Sequence, residues 1–202
     1  MPSTELSQAK RQKILDVATE LFLAKGYGEA SMTELLRLTG GSKTTIYTYF
    51  GDKAGLFTAI IDELLRDTVA FSDSNNLTEL SVREALLEVA GRHLKVVLSD
   101  RYIRLIRIVA AEVGRFPELG KAFYEHGPGL SYANFMAFLD AQVDNGKLVI
   151  EDTPRATDLF FGTLLHREVL SRVYGVKSTP LRERKRVAAA IVDEFLHYYG
   201  HR

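Results

Sequence analysis

Ser31-Met32-Thr33-Glu34-Leu35-Leu36-Arg37-Leu38-Thr39-Gly40-Gly41-Ser42-Lys43-Thr44-Thr45-Ile46-Tyr47-Thr48-Tyr49-Phe50 reads as two short helices joined by a tight turn at Thr39-Gly40-Gly41-Ser42. Ser31 followed by Glu34 has the spacing of a capping box and marks the first start. Ser42 is a good N-cap for the second. The second helix carries too many hydroxyls to be buried all round. Ile46, Tyr49 and Phe50 can pack inward, which leaves a face of Lys, Thr and Tyr, groups that hydrogen-bond phosphates and base edges. Two helices crossing at a short glycine turn, the second polar and aromatic, follow the plan of a helix-turn-helix DNA reader.

Outward from this stretch the chain reads helical throughout. Helices are expected over about 7–25, with Ile14, Val17, Ala18, Leu21 and Phe22 on one face and Gly26 as the stop, and over about 53–71, with Leu56, Phe57, Ile60, Ile61, Leu64 and Leu65 as the apolar stripe. Ser72 to Leu80 is polar and reads as a loop. Further helices are expected over about 81–99, 101–114, 117–126, 130–145, 154–174 and 180–199, with Ser81 and Glu84 as a second capping box and with Thr153-Pro154 and Thr179-Pro180 as cap-plus-proline starts. No stretch alternates apolar and polar residues between turn signals, so no sheet is expected. The fold class is all-α with about nine helices. Residues 1–53 are expected to form a three-helix DNA-binding domain, and 54–202 a second, larger helical domain.

Composition narrows the partners. The 202 residues are 46% hydrophobic and include no cysteine, which excludes disulfides, thiolate metal sites and cysteine nucleophiles. No apolar run approaches the roughly 18 residues that span a bilayer. Met1 to Gln12 lacks the apolar core of a signal peptide, so a cytoplasmic protein without a membrane partner is expected. The 26 basic and 26 acidic residues cancel. Any DNA affinity must therefore come from a local patch, doubled by dimerisation, rather than from bulk charge.

Residues 11–57 resemble the N-terminal domain of the TetR/AcrR family of transcriptional regulators. The run that carries the resemblance is Ile14-Leu15, Ala18, Leu21-Phe22, Gly26-Tyr27, then Ser42 through Lys53, then Leu56-Phe57. Three positions depart from the family pattern: Leu36 and Thr39 stand where it has small residues, and Gly41 where it has an apolar one. A second run, Arg107 to Leu119 with Phe123-Tyr124 and Gly127-Pro128, is similar to the C-terminal domain of an AefR-like subgroup that represses efflux-pump genes.

On the residues themselves, Ser42 and Lys43 sit at a helix N-terminus, where a phosphate binds well. Lys43, Thr44 and Thr45 occupy the first turn, where Lys43 can read guanine and a threonine methyl can touch thymine. Tyr47 and Tyr49 suit backbone phosphates, although Tyr49, next to Phe50, equally suits the core. Thr48 is either a contact or a solvated residue. The resemblance adds Thr33 and Lys53 as phosphate contacts; Lys53 also reads as a plain surface charge.

The resemblance further implies a homodimer on a pseudo-palindromic operator, built on the last two long helices. Phe160, Thr163, His166, Val169, Ile191 and Phe195 are the interface candidates. The middle helices would hold a small-molecule effector pocket, with the aromatic candidates Phe116, Phe123, Tyr124, Tyr132, Phe135, Phe138 and Phe161, and with His93 and His126 as possible polar contacts. Each of these also reads as ordinary core. Effector binding would release a repressor from its operator. A constitutive or architectural DNA binder without an effector is the alternative. A helical-bundle enzyme is the other, but there is no nucleophile elbow, phosphate-binding glycine loop or paired-histidine metal signature, so no catalytic residue, metal or cofactor is assigned.

Overall fold

The computed structural model describes residues 4–40, 42–69, 80–176 and 179–200. These form ten helical segments: α1 (Thr4–Glu29), α2 (Met32–Thr39), α3 (Lys43–Phe50), α4 (Lys53–Val69), α5 (Val82–Val97), α6 (Asp100–Glu112), α7 (Pro117–His126), α8 (Pro128–Asp144), α9 (Thr153–Val173) and α10 (Leu181–Tyr199). Among the described residues, the only pairing of extended backbone is an isolated bridge between Leu148 and Gly200. Gly41 and the expected loop from Ser72 onward lie outside the described residues, except for Leu80.

Packing sorts the chain into two compact units. One holds Met1–Leu64 with Arg104–Gly127, and the other Leu65–Ile103 with Pro128–Arg202. The 53/54 boundary drawn from the sequence divides function; these units divide contacts, and they assign residues of α4 and α6 to both sides.

In the first unit, Ile14, Leu15, Ala18 and Phe22 of α1 are buried with Leu35, Ile46, Phe50, Leu56, Phe57 and Ile60. The rings of Phe22, Tyr27 and Phe57 meet pairwise at 5.5–5.9 Å, and Tyr27 also meets Phe116 edge-on at 5.2 Å. Edge and tilted contacts of this kind suit the ring quadrupole. Gly26 does not stop α1 outright. It adopts φ 80° and ψ 170°, kinking the segment, which continues to Glu29. A side chain at that φ would be strained.

The expected capping box of α2 is half made. The Glu34 amide donates to Ser31 Oγ at 3.1 Å, but the Glu34 carboxylate turns to Lys25 Nζ, 2.8 Å from both oxygens. Gly40 closes α2 in the left-handed conformation at φ 64°. In α2, where the apolar run Leu35, Leu36 and Leu38 reads as the inward face, Leu35 is buried but Leu38 is 44% exposed. With Val17, Leu21 and Ala24 it lines a shallow apolar groove.

In the second unit, the box at the start of α5 is complete: the Glu84 amide donates to Ser81 Oγ and the Ser81 amide to Glu84 Oε2. Two other starts are shifted by a residue. Asp152, rather than Thr153, caps α9 by accepting from the Arg155 amide at 2.9 Å, and Thr153 donates to Asp140 instead. Pro180 occupies the N-cap of α10, and the Thr179 hydroxyl donates to Glu168. Gly127 ends α7 and Pro128 already belongs to α8, a first-turn position that needs no amide hydrogen. The core joins Leu86, Val89 and Ala90 of α5, Phe135 and Leu139 of α8, Phe160, Phe161 and Leu164 of α9, and Val192 and Phe195 of α10.

Candidate nucleic-acid interface

The short α3 is split cleanly by periodicity. Ile46 and Phe50, one turn apart, are buried. Lys43, Thr44, Tyr47 and Thr48, at the complementary positions of the same two turns, are exposed, Tyr47 by 41% of its surface. A large aromatic ring held in solvent beside a cation and two threonines is poor economy for a structural helix and good equipment for reaching into a groove. The Lys43 ammonium lies 5.5 Å from the centre of the Tyr47 ring, a cation–π arrangement that holds both side chains at the exposed face.

Ser42 performs the capping duty that its position predicts. Its Oγ accepts from the Thr45 amide at 3.1 Å and lies 2.8 Å from Thr45 Oγ1. Both hydroxyls are thus engaged with each other, while the first-turn amides of α3 retain the partial positive charge of a helix start. Tyr49 is half-buried, its ring 6.0 Å from Phe50. Thr33 is exposed on the first turn of α2.

Lys53 is docked rather than extended. Its Nζ lies 4.4 Å from the centre of the Tyr27 ring and donates to the Gly28 carbonyl at 3.3 Å. Partial burial pushes its pKa below the usual lysine value, opposed by the nearby negative charge of Glu112. The Tyr27 phenol is pushed up to about 12 by burial and by Glu118 and Asp52, so it stays protonated. One basic residue near α3 escaped the sequence reading: the Arg11 guanidinium of α1 sits 5.3 Å from the centre of the Phe50 ring. Its only trace in the sequence is its place in the first half of an amphipathic helix, which does not say what it faces.

The effector-pocket candidates fall in both units. His93, Phe135, Phe138 and Phe161 belong to the second. There His93 and Phe161 approach to 4.6 Å, Phe135 and Phe161 to 4.9 Å, Phe135 and Phe138 to 6.0 Å, and Tyr132 stacks on Phe161 at 4.9 Å. Phe116, Phe123 and Tyr124 belong to the first unit; Phe116 packs on Tyr27, Phe123 is half-buried and Tyr124 is 62% exposed.

Of the interface candidates, Phe160, Ile191 and Phe195 are buried, Val169 is half-buried, and Thr163 and His166 are exposed. Exposed Leu159, Thr163, His166 and Leu170 recur at i, i+4, i+7 and i+11 along α9. Val187 and Tyr198 are exposed on α10, and a groove of about 470 Å³ runs between Leu159, Thr163, Ile191 and Tyr198.

Among the described residues, no group of three His, Asp or Glu side chains is placed to hold a metal ion, and no helix is long and apolar enough to cross a membrane.

A buried three-helix head that presents α3 to solvent, followed by an all-helical unit, defines a helix-turn-helix regulator. Residues 14–60 match the family described as bacterial regulatory proteins, tetR family, and residues 84–201 match the C-terminal domain of AefR-like transcriptional repressors. The chain belongs to the TetR family. It is 35% identical over 173 residues to the transcriptional repressor AcnR of Corynebacterium efficiens, covering 86% of this chain and 87% of that one. Other curated relatives match over less: the chain spans 32% and 50% of the length of two from Bacillus subtilis. A TetR-family regulator from Mesorhizobium loti superposes with a TM-score of 0.81 at 28% identity, over 96% of this chain and 98% of that one. The flavonoid-responsive regulator FrrA superposes with a TM-score of 0.72 at 28% identity, over 96% and 99%.

Proposed function

We propose that this chain is a cytoplasmic, ligand-responsive transcriptional repressor that binds a pseudo-palindromic operator as a homodimer and leaves it when a small molecule binds. The observation that carries the DNA-reading half is the exposed Lys43-Thr44-Tyr47-Thr48 face of α3, backed by buried Ile46 and Phe50. Lys43 and Thr44 address base edges; Tyr47, Thr48, Tyr49 and Thr33 address phosphates. Ser42 presents the helix start, and Thr45 braces it. Lys53 leaves the Tyr27 ring for a phosphate or stays to stiffen the head. One eight-residue helix contacts few bases, so two copies about 34–36 Å apart, or farther on a longer operator, are required for useful affinity.

The exposed Leu159 and Leu170 on the stripe of α9, with Val187 and Tyr198 of α10, support dimerisation through these helices. The aromatic cluster around Phe161 supports an effector site in 54–202. The names of AcnR, a repressor, and FrrA, which responds to flavonoids, agree with this direction. Coupling requires that the effector bind the DNA-free geometry more tightly than the DNA-bound one.

The test is selection of duplexes from a random pool by the purified protein, followed by footprinting. Recovery of an inverted repeat, lost when Lys43 and Tyr47 are both replaced by alanine, supports the reading. Equal retention of every duplex, or no loss in the double variant, overturns it.

A further inference from the structure

His93 is 4% exposed, inside the second unit, and its two ring nitrogens are treated differently. Nδ1 lies 3.0 Å from the Val89 carbonyl, one turn back on α5. A carbonyl can only accept, so Nδ1 carries the hydrogen. That leaves Nε2 as a bare lone pair in the neutral ring. Nε2 is buried, and no group among the described residues hydrogen-bonds to it. A buried acceptor without a donor is costly, and such atoms in folded proteins call for an explanation.

The surroundings say what kind of donor fits. Phe161 faces the imidazole, and Tyr132, Phe135 and Phe160 pack around Phe161. Of these rings Tyr132 alone is half-buried, and it covers one side of Phe161 with its plane tilted by 29°. Rotation of this one side chain would free ring surface on Phe161, which meets the imidazole at 4.6 Å. Aromatic and aliphatic side chains supply the packing surface around Phe160 and Phe161. Burial holds the imidazole down to about 4 and pushes the nearby Tyr102 phenol far up, so both are neutral near pH 7. An anion entering here would lose its hydration, and neither the neutral imidazole nor the phenol would offset its charge. A second buried polar atom, Thr157 Oγ1, also has no hydrogen-bond partner and lies one turn before Phe161 on α9. A hydroxyl there can donate or accept.

We infer that the effector is a neutral, planar aromatic molecule bearing a hydroxyl or N–H donor, a phenol in the simplest case, which displaces the Tyr132 ring from Phe161 and donates its hydrogen to His93 Nε2. This inference rests on the effector-responsive reading above and specifies the chemistry of its ligand. His93 selects for the donor, and the Phe161 face selects for the ring. Aliphatic chains match only the apolar character, and carboxylates match neither.

The probes are 4-phenylphenol, its methyl ether 4-methoxybiphenyl, 4-phenylbenzoate and dodecanoate, titrated calorimetrically into the full-length protein. The phenol binds roughly tenfold or more tightly than its methyl ether, the difference one buried hydrogen bond makes. Both carboxylates bind more weakly still. His93→Phe, which keeps a ring in place, removes the preference for the phenol over the ether. Tyr132→Ala, which leaves His93 intact, strengthens binding of the phenol several-fold. In wild type, the imidazole Nε2 nitrogen resonance shifts upfield on phenol binding, a signature that a packing role for His93 would not give.

Equal binding of phenol and ether, tighter binding of a carboxylate, an unshifted Nε2 resonance, or no detectable phenol binding overturns the inference. The wider reading fails separately. His93-dependent phenol binding that leaves operator retention unchanged sinks the effector role and keeps the site; operator release by dodecanoate with no phenol binding does the reverse.

Discussion

The carboxylate of Glu112, at the end of α6, accepts a hydrogen bond from the Gly28 amide at 3.0 Å, joining positions 84 apart in the chain. Gly28 lies in the last residues of α1, beyond the Gly26 kink, and its carbonyl in turn holds Lys53. Arg104, two turns earlier on α6, donates to the Leu23 carbonyl at 3.2 Å. The helix therefore grips α1 on both sides of the Gly26 kink. A carboxylate on a backbone amide is worth more than a neutral pair.

Glu112→Ala is expected to cost about 1–3 kcal/mol in urea unfolding, because the Gly28 amide loses a charge-assisted partner. Glu112→Gln, which keeps an acceptor, should recover most of that loss. Operator affinity should follow the same order. Equal stability of the alanine variant and wild type would show that water replaces the contact at no cost.

Gly26→Ala should destabilise the protein by at least about 1 kcal/mol. The residue holds φ +80°, and a β-carbon there would stand 3.0 Å from Glu112 Oε1. The thermal midpoint measures this, and pairing the change with Glu112→Ala should relieve only the steric part.

Lys43→Ala and Tyr47→Ala should leave the fold intact, since both side chains are exposed. Each should weaken operator binding by about 1–3 kcal/mol per protomer, and loss of Lys43 should relax the preference at the base it reads while leaving the salt slope nearly unchanged. Circular dichroism and a salt titration of operator affinity separate the two effects.

His93 ties stability to pH. Its folded-state value of about 4 lies below the ordinary 6.5, so between these values the unfolded chain takes up a proton that the fold refuses. Stability should fall as pH drops through this window, by up to about 3 kcal/mol from this residue, and should be unaffected by it above pH 6.5. His93→Phe should flatten that segment of the unfolding profile; an unchanged slope would mean that the ring gains a proton without penalty.

Leu159→Glu places a charge on the exposed stripe of α9. Light scattering should report a dimer for wild type and a monomer for this variant, with operator affinity reduced by more than tenfold. An unaltered dimer would move the interface elsewhere.

Local signals account for what the sequence disclosed. Ser42 as N-cap, Phe50 as the last residue of α3, and the opposition of Ile46 to Lys43 and Tyr47 all follow from rules spanning a few residues. Where two local solutions competed, the sequence did not choose between them. Glu34 could close its capping box or pair with Lys25, and Asp152 or Thr153 could cap α9; in each case a neighbour nine or more residues away in the chain, Lys25 or Asp140, took part in the outcome. Leu38 looks like core by composition, but its direction depends on how α2 lies against α1. The Glu112–Gly28 bond and the docking of Lys53 on Tyr27 arise from tertiary approach and left no periodic trace. The same holds for the orphaned nitrogen of His93, which no spacing rule anticipates.

Because Ser42 and Thr45 clasp one another at the root of α3, two of the hydroxyls best situated to spell out a binding site are already occupied. An aligned collection of selected half-sites should then show informative columns where Lys43 and Thr44 fall and a tolerant column beside them. Such a vocabulary, short and interrupted, would let one regulator govern several promoters whose sequences share little beyond a few letters.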